Sequence, residues 1–429
     1  MASFSIPLTG LNADSTALNT IANDLSNMNT TAFKSQSTNF ADLFYQQIGS
    51  TGAGDPIQVG AGTQVASNET DFAQGSINST SNPTDVALNG SGFFVVNDGN
   101  GTTEYTRAGN FSLTSTGDLV TSGGFSVMGY PAANGVVNTN APLVPINVPI
   151  GAVQQPQATT SLSMTTNLDS DSLSASPFPA QATVYDSLGE PHIVTVTYTQ
   201  TGANTWTYSA ALPAADFASG VSTPVTGTMS FDASGNLTSV TQTTPVAVAA
   251  TPVGTAAGDL SSIPLGFAGL ADNAADLNIS WNLLGSNGSP NIGQVYSQSV
   301  VSSTVQDGYK PGQYQSFTIG SDGTVTATYS NGQKEAVGQL ALANVSNVQG
   351  LQLMGDGNYA TTRASGTASV STSGTAGLGT LQDGALEASN VNISAEFSDL
   401  IIAQRAFEAN SKTVTTFDTV TQETINMIH

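Results

Sequence analysis

The sequence predicts a mainly β fold with terminal α-helices: two nested β-barrel or sandwich-like domains, framed by N- and C-terminal helices that pair as a coiled coil on assembly. Three observations predict it. Long apolar periodicity near 3.5 residues occurs only towards the two ends. Between the ends the apolar period falls to two, in short runs bounded by Gly, Asn or Asp. No Lys or Arg occurs anywhere from 108 to 309, which marks a distinct block within the β region.

Taking the elements in order, Phe4, Leu11, Leu18 and Leu25 recur every seven residues, and Ile21 and Met28 follow two of them at a spacing of three. This is an a/d seam, interrupted by Pro7 and Asp14. Pro7 is tolerable in a first helical turn, and "NMNTTAF" reads as the stop. In the middle, "YQSFTIGSDGTVTATYSNGQ" alternates through Phe317, Ile319, Val325, Ala327 and Tyr329 about an Asp322-Gly323 turn, as a tight hairpin requires. "GSGFFVVND", "HIVTVTYT", "TWTYSA" and "MSFDASGNLTSV" behave alike. The stretch 139–160, rich in Pro and Gln, reads as a linker into the central block. At the far end Phe397, Leu400, Phe407, Val414, Ile425 and Ile428 share one heptad frame, which Gln404, Ser411 and Asp418 interrupt. Asn392 or Ser394 is positioned to cap this helix, with Glu396 in its first turn.

Composition limits the function. Of 429 residues only 9% are charged, against a norm of about 25%. Seven Lys plus Arg stand against thirty Asp plus Glu, a formal charge of −23. Such a surface repels phosphate backbones and anionic lipid, so neither nucleic acid binding nor direct membrane insertion is expected. The absence of cysteine excludes disulfides and thiolate chemistry. The start, "MASFSIPLTG", lacks the basic and apolar regions of a cleaved signal peptide, so if the chain leaves the cytoplasm it uses another exporter.

Catalytic chemistry has little to work with. His192 and His429 are the only histidines, too few for a His-based triad or a two-His metal site. His192, in "GEPHIV", reads as a histidine at a strand start. Glu69/Asp71 and Asp169/Asp171 are the nearest carboxylate pairs for a secreted carbohydrate-active enzyme, and their Ser/Asn/Thr surroundings favour plain loop acids. "NLDSDS" lacks the spaced oxygen ligands of a calcium loop. No catalytic residue, metal or cofactor is therefore expected.

The helices carry the functional expectation. An amphipathic helix ordinarily packs on its own domain's core, but here the one other long helix lies at the opposite end of the chain. A two-helix pair with broken seams is marginal by itself. Copies from other molecules complete it, which predicts a homo-oligomer. The expected interface residues are Leu11, Leu18, Ile21, Leu25 and Met28 on the first helix, with Phe397, Leu400, Ile401, Phe407, Val414 and Ile425 on the second.

"LTGLNADSTALNTIANDLSNMNTTAFKSQ" (8–36) resembles the N-terminal signature of the flagellar rod and hook axial proteins, through Gly10, Asn12, Asn23, Asn27, Asn29, Phe33 and Lys34. "GALEASNVNISAEFSDLIIAQRAFEANSKTV" (384–414) resembles their C-terminal signature, through Leu386, Glu387, Ser389, Asn390, Gln404, Arg405 and Asn410. Ala32 stands where Gly is usual, Asp24 where Asn is usual, and Asn392 where Asp is usual. Within the family the length and inner segments, "YTRAGNFSL" and "ATVYDSLGEPHIVTVTY" among them, resemble the hook type more than the shorter rod proteins.

The resemblance implies a structural subunit, not an enzyme, that polymerises into the curved, hollow, flexible hook of the bacterial flagellum, the universal joint of the motility machine. It implies type III export to the cell surface without a cleaved signal peptide, and contacts with a distal rod protein, a hook cap protein, a hook-filament junction protein and the export apparatus. The implied organisation is a terminal helical assembly domain (1–30 and 386–429), an extended linking arm (31–71), an inner β-domain (72–157 and 306–385) and an outer β-domain inserted in it (158–305). A distal rod subunit of the basal body is the nearest alternative.

Overall fold

The computed structural model describes residues 5–52, 54–171, 177–243, 260–285 and 287–427. Helix α1 spans Ser5–Ser26 and α2 spans Ile393–Met427. Pro7 sits in the first turn of α1, where its missing N–H costs nothing. Past Ser26 the chain turns, and the Asn27 N–H still reaches the Asn23 carbonyl at 3.1 Å. At the start of α2, Asn392 Oδ1 accepts from the N–H groups of Ser394 (3.1 Å) and Ala395 (3.3 Å), a side-chain N-cap, and Glu396 occupies the first turn.

The helices pack antiparallel. Near one end Asn410 Nδ2 donates to Asp14 Oδ2 at 2.8 Å, and a Cβ placed on Gly10 would lie 2.6 Å from that nitrogen. Towards the other end, Asp24 and Glu396 are close enough to repel. The buried face of α1 is Pro7, Gly10, Ala13, Ala17, Thr20, Ile21 and Asp24. Within the single subunit most of the residues expected at the assembly interface lie off this face. Of the expected residues only Ile21 is buried; Leu11, Leu18 and Leu25 are half-buried and Met28 is exposed. On α2 only Ala403 is buried, Leu400 and Val414 are half-buried, and Phe397, Ile401, Phe407 and Ile425 are exposed. Phe4 and Ile428 fall outside the described residues. Close approach of two backbones selects small side chains, and it turns the large ones outward.

Contacts divide the chain into two units: Met1–Ile150, Ser316–Thr328 and Lys334–His429 form the first, Gly151–Gln315 and Tyr329–Gln333 the second. In the first, the expected extended arm runs out and doubles back. Strand β1 (Gln36–Asp42) pairs antiparallel with β4 (Thr63–Thr70), and β2 (Tyr45–Ser50) with β3 (Pro56–Gly60). The β body of this unit centres on Phe93–Asn97, which pairs with Thr103–Thr106, Ser126–Ala133 and Leu342–Asn344. Phe72, Phe93 and Tyr359 meet in its core with ring centroids 5.5–6.0 Å apart. Ladders of Val86–Asn89 with Thr380–Asp383 and Ile77–Ser79 with Ala385–Glu387 carry the chain from this body towards α2.

The second unit holds a five-stranded antiparallel sheet in sequence order: Phe178–Tyr185, Pro191–Gly202, Thr205–Ala211, Val225–Phe231 and Leu237–Gln242. Another sheet is built on Ser161–Asp169, which runs parallel to Leu277–Asn282 and Ile292–Val295 and antiparallel to Val300–Gln306. Strict alternation in Thr205–Ala211 buries Trp206, Tyr208 and Ala210, as a sheet with one covered face requires. Tyr208 packs edge-on against Trp281 at 5.7 Å, and Trp206 Nε1 donates to Gln294 Oε1 at 2.7 Å.

Candidate functional site

Where the N-terminal segment meets the chain entering α2, two of the chain's seven Lys and Arg residues close on one carboxylate. Glu387 is fully buried at the end of its short strand. Its Oε1 accepts from Lys34 Nζ at 2.7 Å and from the Gly75 N–H at 2.9 Å, while its Oε2 faces Arg107 Nη2 at 3.0 Å and Nε at 3.1 Å. Lys34 also donates to the Ala73 carbonyl at 2.7 Å, and Arg107 Nη1 to those of Gly90 and Gly92. Two cations around one buried carboxylate, with the remaining donors on carbonyls, make a closed clasp. Burial pushes the Lys34 ammonium below its ordinary range, and Glu387 opposes that shift.

Asn390 extends the clasp. Its Oδ1 accepts from the Ser35 N–H at 2.8 Å, and its Nδ2 donates to the Asp71 carbonyl at 2.8 Å. One residue before Phe33 the backbone turns through φ +54° at Ala32, so the left-handed conformation for which Gly is suited is adopted here by Ala. The Ala32 N–H donates to the Glu387 carbonyl at 2.8 Å, and the methyl is buried; those contacts hold the turn in place. Asp24 is wholly buried: Oδ2 accepts from the Gln36 N–H at 2.8 Å, and Oδ1 has no donor among the described residues. Burial pushes its carboxyl above the ordinary range, against the pull of that hydrogen bond.

Thus the structure brings together Gly10 with Asn410, and Lys34 with Glu387 and Asn390. Asn27 stays local, donating through Nδ2 to the Asn23 carbonyl at 2.9 Å. Asn12, Asn29, Gln404 and Arg405 are exposed, Arg405 in a surface pair with Glu408; Phe33, Leu386 and Ser389 are half-buried. Arg107 was missed. Its signal was available, since a chain with so few cations rarely places one inside a strand-turn segment such as "YTRAGNF" without a partner.

The outward surface of the helices is apolar. Phe397, Ile401, Ile402, Val420, Ile425 and Met427 are all more than half exposed. A cleft of about 330 Å³ between α1, β1 and α2 combines Ala17, Ile21, Phe40 and Ile402 with the carboxylates of Asp14, Glu396 and Asp399. Phe44, just before β2, and Tyr45 and Ile48 within it also face water.

The carboxylate pairs weighed for sugar chemistry do not form a site. Glu69 and Asp71 are exposed, and Asp71 Oδ1 accepts from the Ala73 N–H. Asp169 Oδ1 likewise accepts from the Asp171 N–H. His192 does begin a strand, but it is buried between acidic side chains. No described helix is long and apolar enough to cross a membrane.

Comparison with known proteins gives four family matches along the chain. Residues 6–34 match the flagella basal body rod protein model, 87–167 the flagellar hook protein FlgE/F/G D1 domain, 155–309 the flagellar basal body protein FlaE D2 domain, and 382–427 the flagellar basal body rod FlgEFG protein C-terminal model. The chain is 35% identical to the flagellar hook protein FlgE of Salmonella typhimurium, over 99% of this chain and 100% of that one. It is 34% identical to FlgE of Escherichia coli, with 99% of both chains covered, and 33% identical to FlgE of Treponema pallidum, with 98% of both covered. The crystal structure of Helicobacter pylori flagellar hook protein FlgE2 shares the fold at 14% identity, with a TM-score of 0.51, over 71% of this chain and 99% of that one.

Proposed function

We propose how assembly proceeds from the premise that this chain belongs to the flagellar hook protein FlgE family: a structural subunit of the flagellar hook, it polymerises with copies of itself through the outward faces of α1 and α2. One observation carries the reading. Helix α2 is 35 residues long and among its described residues only Ala403 is buried, while its largest apolar residues face solvent. Burying each Phe or Ile contributes about 1.5–3 kcal/mol, so neighbouring helices in a polymer gain most where the lone subunit buries least. The exposed aromatics at the open end of the β2–β3 hairpin, Phe44 and Tyr45, reach a further copy in the same way.

In this reading the clasp sets the direction in which α1 and α2 leave the β body, and no residue acts catalytically. The chain is exported without cleavage through the flagellar export apparatus. It meets the distal rod protein at one end of the hook and the junction protein at the other, beneath a hook cap protein during growth. The test is the double variant Phe397→Ser, Ile401→Ser. Its tryptophan fluorescence should match wild type, because Trp206 and Trp281 are both buried in the second unit, and electron microscopy should show no tubes. Tubes forming at the wild-type protein concentration would sink the assignment of this face.

A further inference from the structure

The second unit has a concentration of negative charge that its own cations cannot offset. No Lys or Arg occurs from 108 to 309. Lys310 is the unit's one such residue, and among the described residues no ion pair joins it to the cluster described next. Asp186, His192 and Asp272 each present a ligand atom, and these atoms lie within 4.8 Å of one another. Asp216 backs the histidine, its Oδ2 lying 3.0 Å from His192 Nδ1.

Each carboxylate is held by one oxygen and offers the other. Asp186 Oδ1 accepts from the N–H groups of Leu188 and Glu190, both at 2.8 Å, which leaves Oδ2 against His192 Nε2 at 3.3 Å. Asp272 Oδ1 accepts from the Ala274 N–H at 3.0 Å; its Oδ2 is buried with no donor among the described residues. A hydrogen bond from the Ala275 N–H to Ser187 Oγ at 2.9 Å ties the two loops together. The facing Asp186 carboxyl, and then burial, push the Asp272 carboxyl above its ordinary range.

We infer that Asp186 Oδ2, His192 Nε2 and Asp272 Oδ2 form a binding site for one divalent cation with a preference for mixed nitrogen and oxygen donors, of the Zn²⁺ or Mn²⁺ type. Asp216 holds the imidazole with Nδ1 protonated, so that the Nε2 lone pair faces the ion, the usual carboxylate–histidine–metal relay. Two donors about 2.0–2.1 Å from a tetrahedral ion stand about 3.3 Å apart, which matches the separation of His192 Nε2 and Asp186 Oδ2. A protonated histidine alone balances one of three carboxylates. A divalent ion with a neutral histidine balances two, and it also gives the orphan oxygen of Asp272 a partner. This departs from the sequence-based expectation of no metal, and it concerns the second unit, not the helix-bearing one.

The probe is Zn²⁺, added to the full chain after removal of metal with a chelator, with millimolar Mg²⁺ present to suppress weak binding to surface acids. Calorimetry should show one equivalent bound. The Asp272→Asn variant, at a partly exposed position where folding is preserved, should weaken it at least 10-fold. Asp216→Asn, which removes only the support of the imidazole, should weaken it about 10–100-fold, and His429→Gln should leave it unchanged. Co²⁺ in place of Zn²⁺ should give a visible d–d spectrum that is lost in Asp272→Asn. Binding that disappears in His429→Gln, binding unaltered in Asp272→Asn, or no saturable uptake would each overturn the site in favour of a proton shared between the two carboxylates.

Discussion

Glu387 shows at the scale of one residue why a short signature can be read from sequence while its reason cannot. Glu387 and Lys34 lie 353 positions apart and meet at 2.7 Å with almost no exposure. Replacing Glu387 by Gln keeps the shape and leaves two cations buried without a counter-charge. Breaking a buried pair in this way costs about 3–5 kcal/mol. Lys34→Met should cost less, since Glu387 retains Arg107 and the Gly75 N–H. Scanning calorimetry of both variants checks the order: equal losses would mean that Arg107 does not hold Glu387. Both partners of this pair were legible as motif residues. Arg107 was not, because nothing in the local pattern tells which strand turn faces the clasp. His192 illustrates the same blindness, since its spacing of six from Asp186 acquires meaning only through the turn between them.

At the scale of the element, the two long helices and the Asn392 cap were legible in the sequence, because periodicity and capping are local properties. The face each helix turns to the other was not. The heptad reading followed the large apolar residues, whereas the pair closes on Gly10, Ala13, Ala17 and Ala403 with Asp14 bonded to Asn410. Apolar pattern finds each helix but does not by itself tell the face that closes the pair within the subunit from the faces left to solvent. The contact also carries charge. Glu396 is pushed up by burial, then by Asp24 and Asp399; burial pushes Asp24 up as well. A carboxyl whose folded value is raised is easier to protonate in the folded state. Its relief of the helix pair is therefore complete below the ordinary carboxylate range and lost as pH rises through the raised values. Asp24→Asn should stabilise the helix-bearing unit at pH 7 by about 1 kcal/mol, and it should reduce the difference between melts at pH 7 and pH 5. A larger acid stabilisation in the variant than in wild type would remove Asp24 from this account.

For the whole molecule, alternation made the β body legible; within 31–71, expected as an extended arm, the register of β1 on β4 shows that the chain returns on itself. The distribution of the few cations turns this architecture into a test by trypsin. Arg107 is followed by no Lys or Arg until Lys310, which precedes Pro311 and resists cleavage. Sequence alone expects both ends to be trimmed. The structure changes that expectation, because Lys34 and Arg107 are buried in the clasp while Arg405 and Lys412 stand exposed on α2. Lys334, although exposed, lies in a paired strand that opposes Thr328. Arg363 also stands exposed, in a turn, so brief digestion of the free subunit should yield fragments that keep the N-terminus and end at Arg363 or Arg405, as read by intact mass. Cleavage after Lys34 at a comparable rate would show the clasp open in solution. If subunits join through α2 as proposed, the Arg405 cut should slow on polymerisation; a rate unchanged in the assembled tube would mean that α2 is not the surface through which subunits join.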